Sequence, residues 1–264
     1  MSAAIRSGRA SYPEPGDCEI GSTSVILPDW PAPANVRAAC TTREGGVSEG
    51  PYASMNLSAR VGDRDEHVAE NRRRLAGLLN LPDEPGWLRQ RHGTRVVDAP
   101  APGTIVLEAD ASVGRDRGRI CAVLTADCLP VLFCDDAGTA VAAAHAGWRG
   151  LSAGVLESTV SALRVAPASL MAWLGPAIGP AAFEVGAEVR EVFLKEQAES
   201  EPAFSRQGER WLADLYALAR LRLSRAGLKH IYGGGYCTFD DDTRFFSYRR
   251  EKQSGRMASL IWLS

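Results

Sequence analysis

The chain has four histidines, His67, His92, His145 and His230, and six cysteines, so each imidazole and thiol can be weighed in turn. His92 is followed by Gly93, and His145 ends a run of small residues just before Ala146-Gly147. Side chains at such strand ends and loops can face a cleft. Cys128 shares the setting. It follows Thr125-Ala126-Asp127 and precedes Leu129-Pro130, so the chain must break between two strand-like runs and place a thiol beside a carboxylate.

Two chemistries open if neighbouring strands bring these residues to one end of a sheet. Two neutral imidazoles and one thiolate suit Zn²⁺ at about 2.0–2.3 Å, and three protein ligands leave a fourth position for water or substrate. The spacings, 36 residues from His92 to Cys128 and 17 from there to His145, match no compact zinc signature. The alternative is a nucleophilic pair, with Cys128 attacking a carbonyl carbon and His145 or His92 as base. Chelation of a bound metal and covalent trapping of Cys128 separate the two. A third possibility is a noncatalytic binding module with a structural, coordinatively closed metal.

Two further thiols and the other two imidazoles read as structural, while Cys237, in YCTF between glycines and an acidic loop, is left open. Cys121 and Cys134 lie within apolar strand runs as small core residues, His67 sits on a charged helix face, and His230 follows Lys229 near a surface turn. Arginines are the second signal. Arg43 in TTREGG, Arg149 beside His145, and Arg249-Arg250 after an aromatic stretch stand near segments that could line a pocket. Guanidinium forks bind carboxylate or phosphate in bidentate fashion, and a surface salt bridge is the plain reading of each. GPAIGP has neither Walker nor dinucleotide spacing.

The elements that must position these residues follow from periodicity and turn chemistry. ICAVLTA, LPVLFC and TAVAAAH read as consecutive buried strands, and His145 leads through a glycine-rich turn into the helical pattern LSAGVLESTVSALR. Upstream, TSVILPDW and NVRAACTT are strand-like, and the latter runs into a Gly-rich loop too polar to be core. A first helix starts after Asp63 as N-cap and stops before Pro82, and GWLRQRHGTRVVDAP offers two short strand pieces. Further on come a strand at SLMAWL, a helix at AEVREVFLKE, an irregular stretch over 197–210, the helix WLADLYALARLRLSRAGL and a closing strand ASLIWLS.

Composition bounds the rest. With 264 residues, 45% hydrophobic, and Lys+Arg 30 against Asp+Glu 32, the chain can bury a core and carries no bulk charge for nucleic acid. No apolar run approaches bilayer length, no secretory h-region opens the chain, and no cysteine framework is present. The expectation is a cytoplasmic α+β protein with a flexible tail over 1–18 and one domain over 19–264. Mixed sheets flanked by helices would form that domain, acting on a small molecule as monomer or homodimer.

TTREGGVSEGPYASMNL, Gln90-x-His92-Gly93, TADCLPVLF, HAGWRGL, GPAIGPAAFEVGAEV and FFSYRR occur here in one order. In these segments the chain closely resembles the YfiH family, the laccase-domain proteins called multicopper polyphenol oxidases and, later, purine nucleoside phosphorylases. Arg91 departs from the more usual valine before the His-Gly pair. The resemblance implies a cysteine-hydrolase-like layered fold and a zinc site of His92, Cys128 and His145. It also implies phosphorolysis of adenosine, inosine, guanosine and methylthioadenosine, and deamination of adenosine. Other readings within the family are editing of a peptidoglycan precursor by removal of a misplaced serine, and copper-dependent phenol oxidation. Four histidines cannot supply the roughly ten that four laccase coppers need, so copper fits less well than zinc. On this reading Arg149, Arg43 and the amides of the Gly147 turn would contact phosphate, and Asn56 would touch substrate. Asp127 would either carry a proton or orient a ligand imidazole.

Overall fold

The computed structural model describes residues 16–20, 23–101, 103 and 106–264. Strands and helices are numbered in chain order. The three central apolar runs are β6 (Ile120–Thr125), β7 (Leu129–Asp135) and β8 (Val141–Ala146). Their alternation sets the layers. Cys121 and Val123 face one apolar cluster and Ile120 and Ala122 another, while Leu132 and Cys134 of β7 share the first cluster and Val131 and Phe133 turn away from it. All of these strands are therefore buried on both faces.

Two sheets result. The first is antiparallel, in the order β1 (Gly16–Ile20), β2 (Thr23–Leu27), β3 (Val36–Thr41), β14 (Met257–Leu263) and β6. The second is mixed, in the order β13 (His230–Gly233), β9 (Leu170–Leu174), β7, β8, β5 (Ala111–Gly114) and β4 (Val96–Asp98). Their inner faces share Cys40, Val123, Leu132, Ala143, Trp173 and Ile261. Helix α1 (Asp65–Leu79) covers the outer face of the first sheet through Leu75 and Leu79. Helices α2 (Trp148–Ala153), α3 (Val155–Leu163), α4 (Ala187–Glu196) and α5 (Leu215–Arg225) cover the second through Leu151, Leu156, Phe193 and Leu218. Each fully buried Leu or Phe contributes roughly 1.5–3 kcal/mol, which makes this helix–sheet–sheet–helix stack the main source of stability.

The α+β class with mixed sheets and flanking helices agrees with expectation, and several local readings change. Gly16–Ile20 pairs with Thr23–Leu27, so a strand begins inside the stretch assigned to the tail, and residues 1–15 lie outside the described residues. Asp63 does not cap α1. Its Oδ2 accepts from Ser48 Oγ at 2.6 Å and Asn56 Nδ2 at 2.8 Å, and Arg64 is the N-cap residue. The Gly-rich loop contributes Met55 and Leu57 to the core because buried Asn71 satisfies its backbone, bonding Val47 N, Ser54 O and Asn56 O. Only one of the two strand pieces around His92 forms, as β4; Arg89 makes a single bridge to Glu108.

The stretch 197–210 is less irregular than its polarity suggests. It holds β11 (Phe204–Gln207), which pairs with β12 (Arg210–Ala213), and with β10 (Glu184–Val185) these form a small third sheet. Trp211 and Leu212 thus belong to a strand, and α5 starts only after Asp214, whose side chain accepts from Ala217 N at 3.0 Å. The last helix, α6 (Tyr248–Glu251), is a single turn.

Candidate metal centre

The chain leaves the first sheet at Thr125 and enters the second at Leu129, so Cys128 stands on the crossover between them. The crossover is tight. Asp127 adopts φ 89, a backbone region costly for a non-glycine residue, and both its carboxylate oxygens are engaged. Oδ1 accepts from Thr238 Oγ1 at 2.7 Å and Oδ2 from Arg249 N at 2.6 Å, while its carbonyl accepts from Ile178 N at 2.9 Å. This fixes the thiol of Cys128.

His145 lies near the end of β8, 3% exposed, with its side chain between the sheets like those of Val141 and Ala143. Its Nδ1 is 2.8 Å from Asp110 Oδ1. Asp110 also accepts from the amides of His92 (2.9 Å) and Gly93 (2.8 Å), with a longer contact from Arg91 at 3.1 Å. Burial opposes ionisation of Asp110, but His145 and these amides outweigh it, and the carboxyl is held below its usual range. An ionised Asp110 requires the proton on Nδ1 of His145, which leaves Nε2 as the donor atom facing Cys128.

His92 is held in a left-handed conformation, φ 59, by the Asp110 bonds and by its neighbour Gln90. The Gln90 amide grips the open edge of β6 at both ends, Nε2 donating to Leu124 O at 2.7 Å and Oε1 accepting from Leu124 N at 2.8 Å. His92 Nε2 then lies 3.8 Å from Cys128 Sγ, and the two imidazoles meet edge to face with centroids 4.7 Å apart.

One donor atom from each of His92, Cys128 and His145 lies within 4.8 Å of the other two. The three side chains grade from exposed through half-buried to buried, so the group opens to one side. A nitrogen, nitrogen and sulfur set of this kind, with a carboxylate holding one imidazole, is chemically suited to hold a metal ion. Burial alone would raise the Cys128 thiol; the two imidazoles reverse this and lower it to about 6, and the thiolate with Asp110 raises His145 to about 9 against its own burial. The glycine at 147 is required, because a Cβ there would meet Cys128 Sγ and His92 Cδ2 at 2.9 Å.

The group forms part of the wall of a cavity of about 800 Å³, with Trp87, Leu124, Thr125, Arg149 and Tyr248 among the other lining residues. Arg149 is exposed, its guanidinium 4.4 Å from the Trp148 ring. The other expected contacts lie elsewhere. Arg43 bonds Ala53 O, Asp242 O and Glu251, and Asn56 is fully buried, holding Ser58, Asp63 and Arg256. Arg249 and Arg250 bond backbone carbonyls of Glu184 and of Thr238, Phe239 and Phe245. The helix at Gly147 is only six residues long. Asp127 touches neither imidazole and braces the crossover; the orienting carboxylate is Asp110. Its signal in the sequence was faint, an acid in the small-residue run Ala109-Asp110-Ala111 that opens β5.

Residues 37–264 match the family model described as multi-copper polyphenol oxidoreductase laccase. Similar relatives include the purine nucleoside phosphorylase YfiH of Shigella flexneri, 55% identical over 91% of this chain and 99% of that protein. A purine nucleoside phosphorylase of Pseudomonas aeruginosa is 56% identical over 90% and 98%. Among solved structures, a Neisseria meningitidis protein of the DUF152 family superposes with a TM-score of 0.88 at 53% identity, over 91% of this chain and 99% of that one. The chain belongs to this laccase-domain family, that of YfiH.

Proposed function

We propose that this protein is a zinc-dependent purine nucleoside phosphorylase that also deaminates adenosine. Its substrates would be adenosine, inosine, guanosine and methylthioadenosine, cleaved by phosphate to free base and a ribose 1-phosphate. The observation that carries the reading is the convergence of His92, Cys128 and His145 within 4.8 Å on the wall of a cavity of ligand size. The names of the close relatives support the reaction class. Zinc held by these three atoms would supply a Lewis acid.

The protein's own groups do the rest. Asp110 keeps the proton on Nδ1 of His145, and Gln90 fixes the loop that presents His92. Tyr248 offers an exposed ring in the cavity on which a purine can stack. Arg149, on the exposed rim, draws the phosphate anion toward the cavity. Phosphate oxygen then attacks the ribose anomeric carbon as the glycosidic bond breaks, and the base takes the bond pair and the proton that the hydrogen phosphate gives up. Cys40, Cys121, Cys128, Cys134 and Cys237 are free thiols, which suits a reducing cytoplasm.

Metal analysis of the purified protein, with product identification from adenosine in the presence and absence of phosphate, tests this. Adenine and ribose 1-phosphate should form only with phosphate, inosine without it, and both should stop on chelation. Neither product in a zinc-loaded protein ends the proposal.

One observation favours a second reading. Cys128, His145 and Asp110 follow one another as thiol, imidazole and carboxylate, the arrangement of a nucleophilic triad. An amidase trimming a misplaced serine from a cell-wall precursor would use it. Faster turnover of an aminoacylated sugar nucleotide than of adenosine would select that reading.

A further inference from the structure

Four arginines line the cavity, and they differ in what holds them. Arg72 lies 3.7 Å from Glu84 and 4.4 Å over the Trp87 ring. Arg149 lies over Trp148. Arg256 lies 5.8 Å from the Tyr248 ring centroid, and Arg60, Arg149 and Arg256 have no carboxylate partner among the described residues.

Arg256 is half-buried, yet only one end of its fork is bonded. Its Nη1 donates to Ser254 O at 2.7 Å, Gly255 O at 2.9 Å and Ser254 Oγ at 3.2 Å, which aims the side chain and leaves Nε and Nη2 without an acceptor among the described residues. The backbone is fixed as well. Arg256 N donates to Asn56 Oδ1 at 3.0 Å, and Leu57 N to Arg256 O at 3.2 Å. That pairing sets Ser58 beside Arg256, and the turn that follows, Arg60 N to Ser58 Oγ at 3.3 Å, carries the second guanidinium. Thr125 stands opposite Met257 in the β6–β14 register; it too lines the cavity, and its buried hydroxyl has no partner among the described residues.

The free end of a half-buried guanidinium needs an acceptor, and buried hydroxyls are normally bonded. An anion in the cavity meets both demands. A tetrahedral phosphate suits the fork, which binds two oxygens at once, while hydroxyl donors take the others. We propose that Arg256, Arg60, Ser58 and Thr125 form a subsite for a phosphate dianion, in the same cavity as the His92–Cys128–His145 group. The anion is either free phosphate, which rests on the phosphorylase reading, or a phosphoryl group carried on the substrate, which does not.

Equilibrium dialysis tests this with inorganic phosphate and, separately, adenosine 5′-monophosphate. The proteins are the wild type, Arg256→Lys, Arg60→Ala and Arg206→Ala, an exposed arginine of the small sheet that controls for lost charge. Arg256→Lys keeps the charge and the fold while losing the fork, so a folding defect does not decide the outcome. At least tenfold weaker phosphate binding in Arg256→Lys and Arg60→Ala, with Arg206→Ala unchanged, is the expected result. Saturable, Arg256-dependent binding of the monophosphate alone supports the subsite and assigns it to a phosphorylated substrate. Arg256-dependent phosphate binding without phosphorolysis keeps the subsite and removes the phosphorylase reading. Binding unaffected in both variants, equally weakened in Arg206→Ala, or absent for both anions in the wild type overturns the proposal.

Discussion

Asp110 and His145 are joined twice, side chain to side chain at 2.8 Å and, through the backbone, from His145 N to Asp110 O at 2.7 Å. The double link fixes the ring's position as well as its tautomer. The same carboxylate gathers the His92 and Gly93 amides, so one residue orients two of the three side chains suited to hold a metal.

Asp110→Asn keeps the shape but replaces one accepting oxygen with an amide NH2, which faces N–H donors. Zinc affinity should fall by about 10–100-fold, measured by competition with a chromophoric chelator. Because the Asp110 carboxyl is depressed, its stabilisation is complete well above about pH 3.9, the unfolded value, and is lost as pH falls through the lower folded value. Acid unfolding of the variant should therefore be less steep than that of the wild type. Equal zinc affinity in the two proteins would contradict the orienting role.

Thiol reactivity should separate the cysteines. In metal-free protein, iodoacetamide should label Cys128 with a midpoint near pH 6, and the rate should fall as pH drops below it. Cys40 and Cys121, pushed up to about 12 by burial, should stay unlabelled until the protein unfolds. Peptide mapping reads the sites, and zinc should protect Cys128.

Gly147→Ala asks whether the glycine serves the backbone or the site. Its φ of −61 suits alanine, so the fold should survive with a change in Tm of only a few degrees. The added methyl would press on Cys128 Sγ and His92, and metal stoichiometry by elemental analysis should drop below half. Full loading would show that the ligands can move apart.

Asn71→Ala removes the residue that satisfies the loop over 47–56. Val47 N and the carbonyls of Ser54 and Asn56 lose their buried partner, a cost of about 3 kcal/mol in urea unfolding. A loss below about 0.5 kcal/mol would mean that water replaces the amide.

The strands and the interruption at Cys128 were legible because buried strands are short apolar runs and a break inside such a run needs a cause. His145 was legible as the polar end of a small-residue strand. Asp110 was not, since its partners lie 18 and 35 positions away, His145 joined by the pairing of β5 with β8 and His92 by the bridge between Arg89 and Glu108. The ion pair that holds Arg43 was hidden for the same reason, its acidic partner Glu251 being 208 positions distant. Trp211 and Leu212 fit either periodicity, and the neighbouring β11 decides for a strand.

The centre sits on a seam. Gln90 ties His92 to the border of one sheet, His145 belongs to the other, and Cys128 rides the chain passing between them. Neither half of the molecule holds a usable set of donors by itself. An ion gripped by all three would act as a rivet, adding about 2.7 kcal/mol when its free concentration is a hundred times its Kd. Any slippage of one sheet over the other would therefore be felt first as loss of that ion.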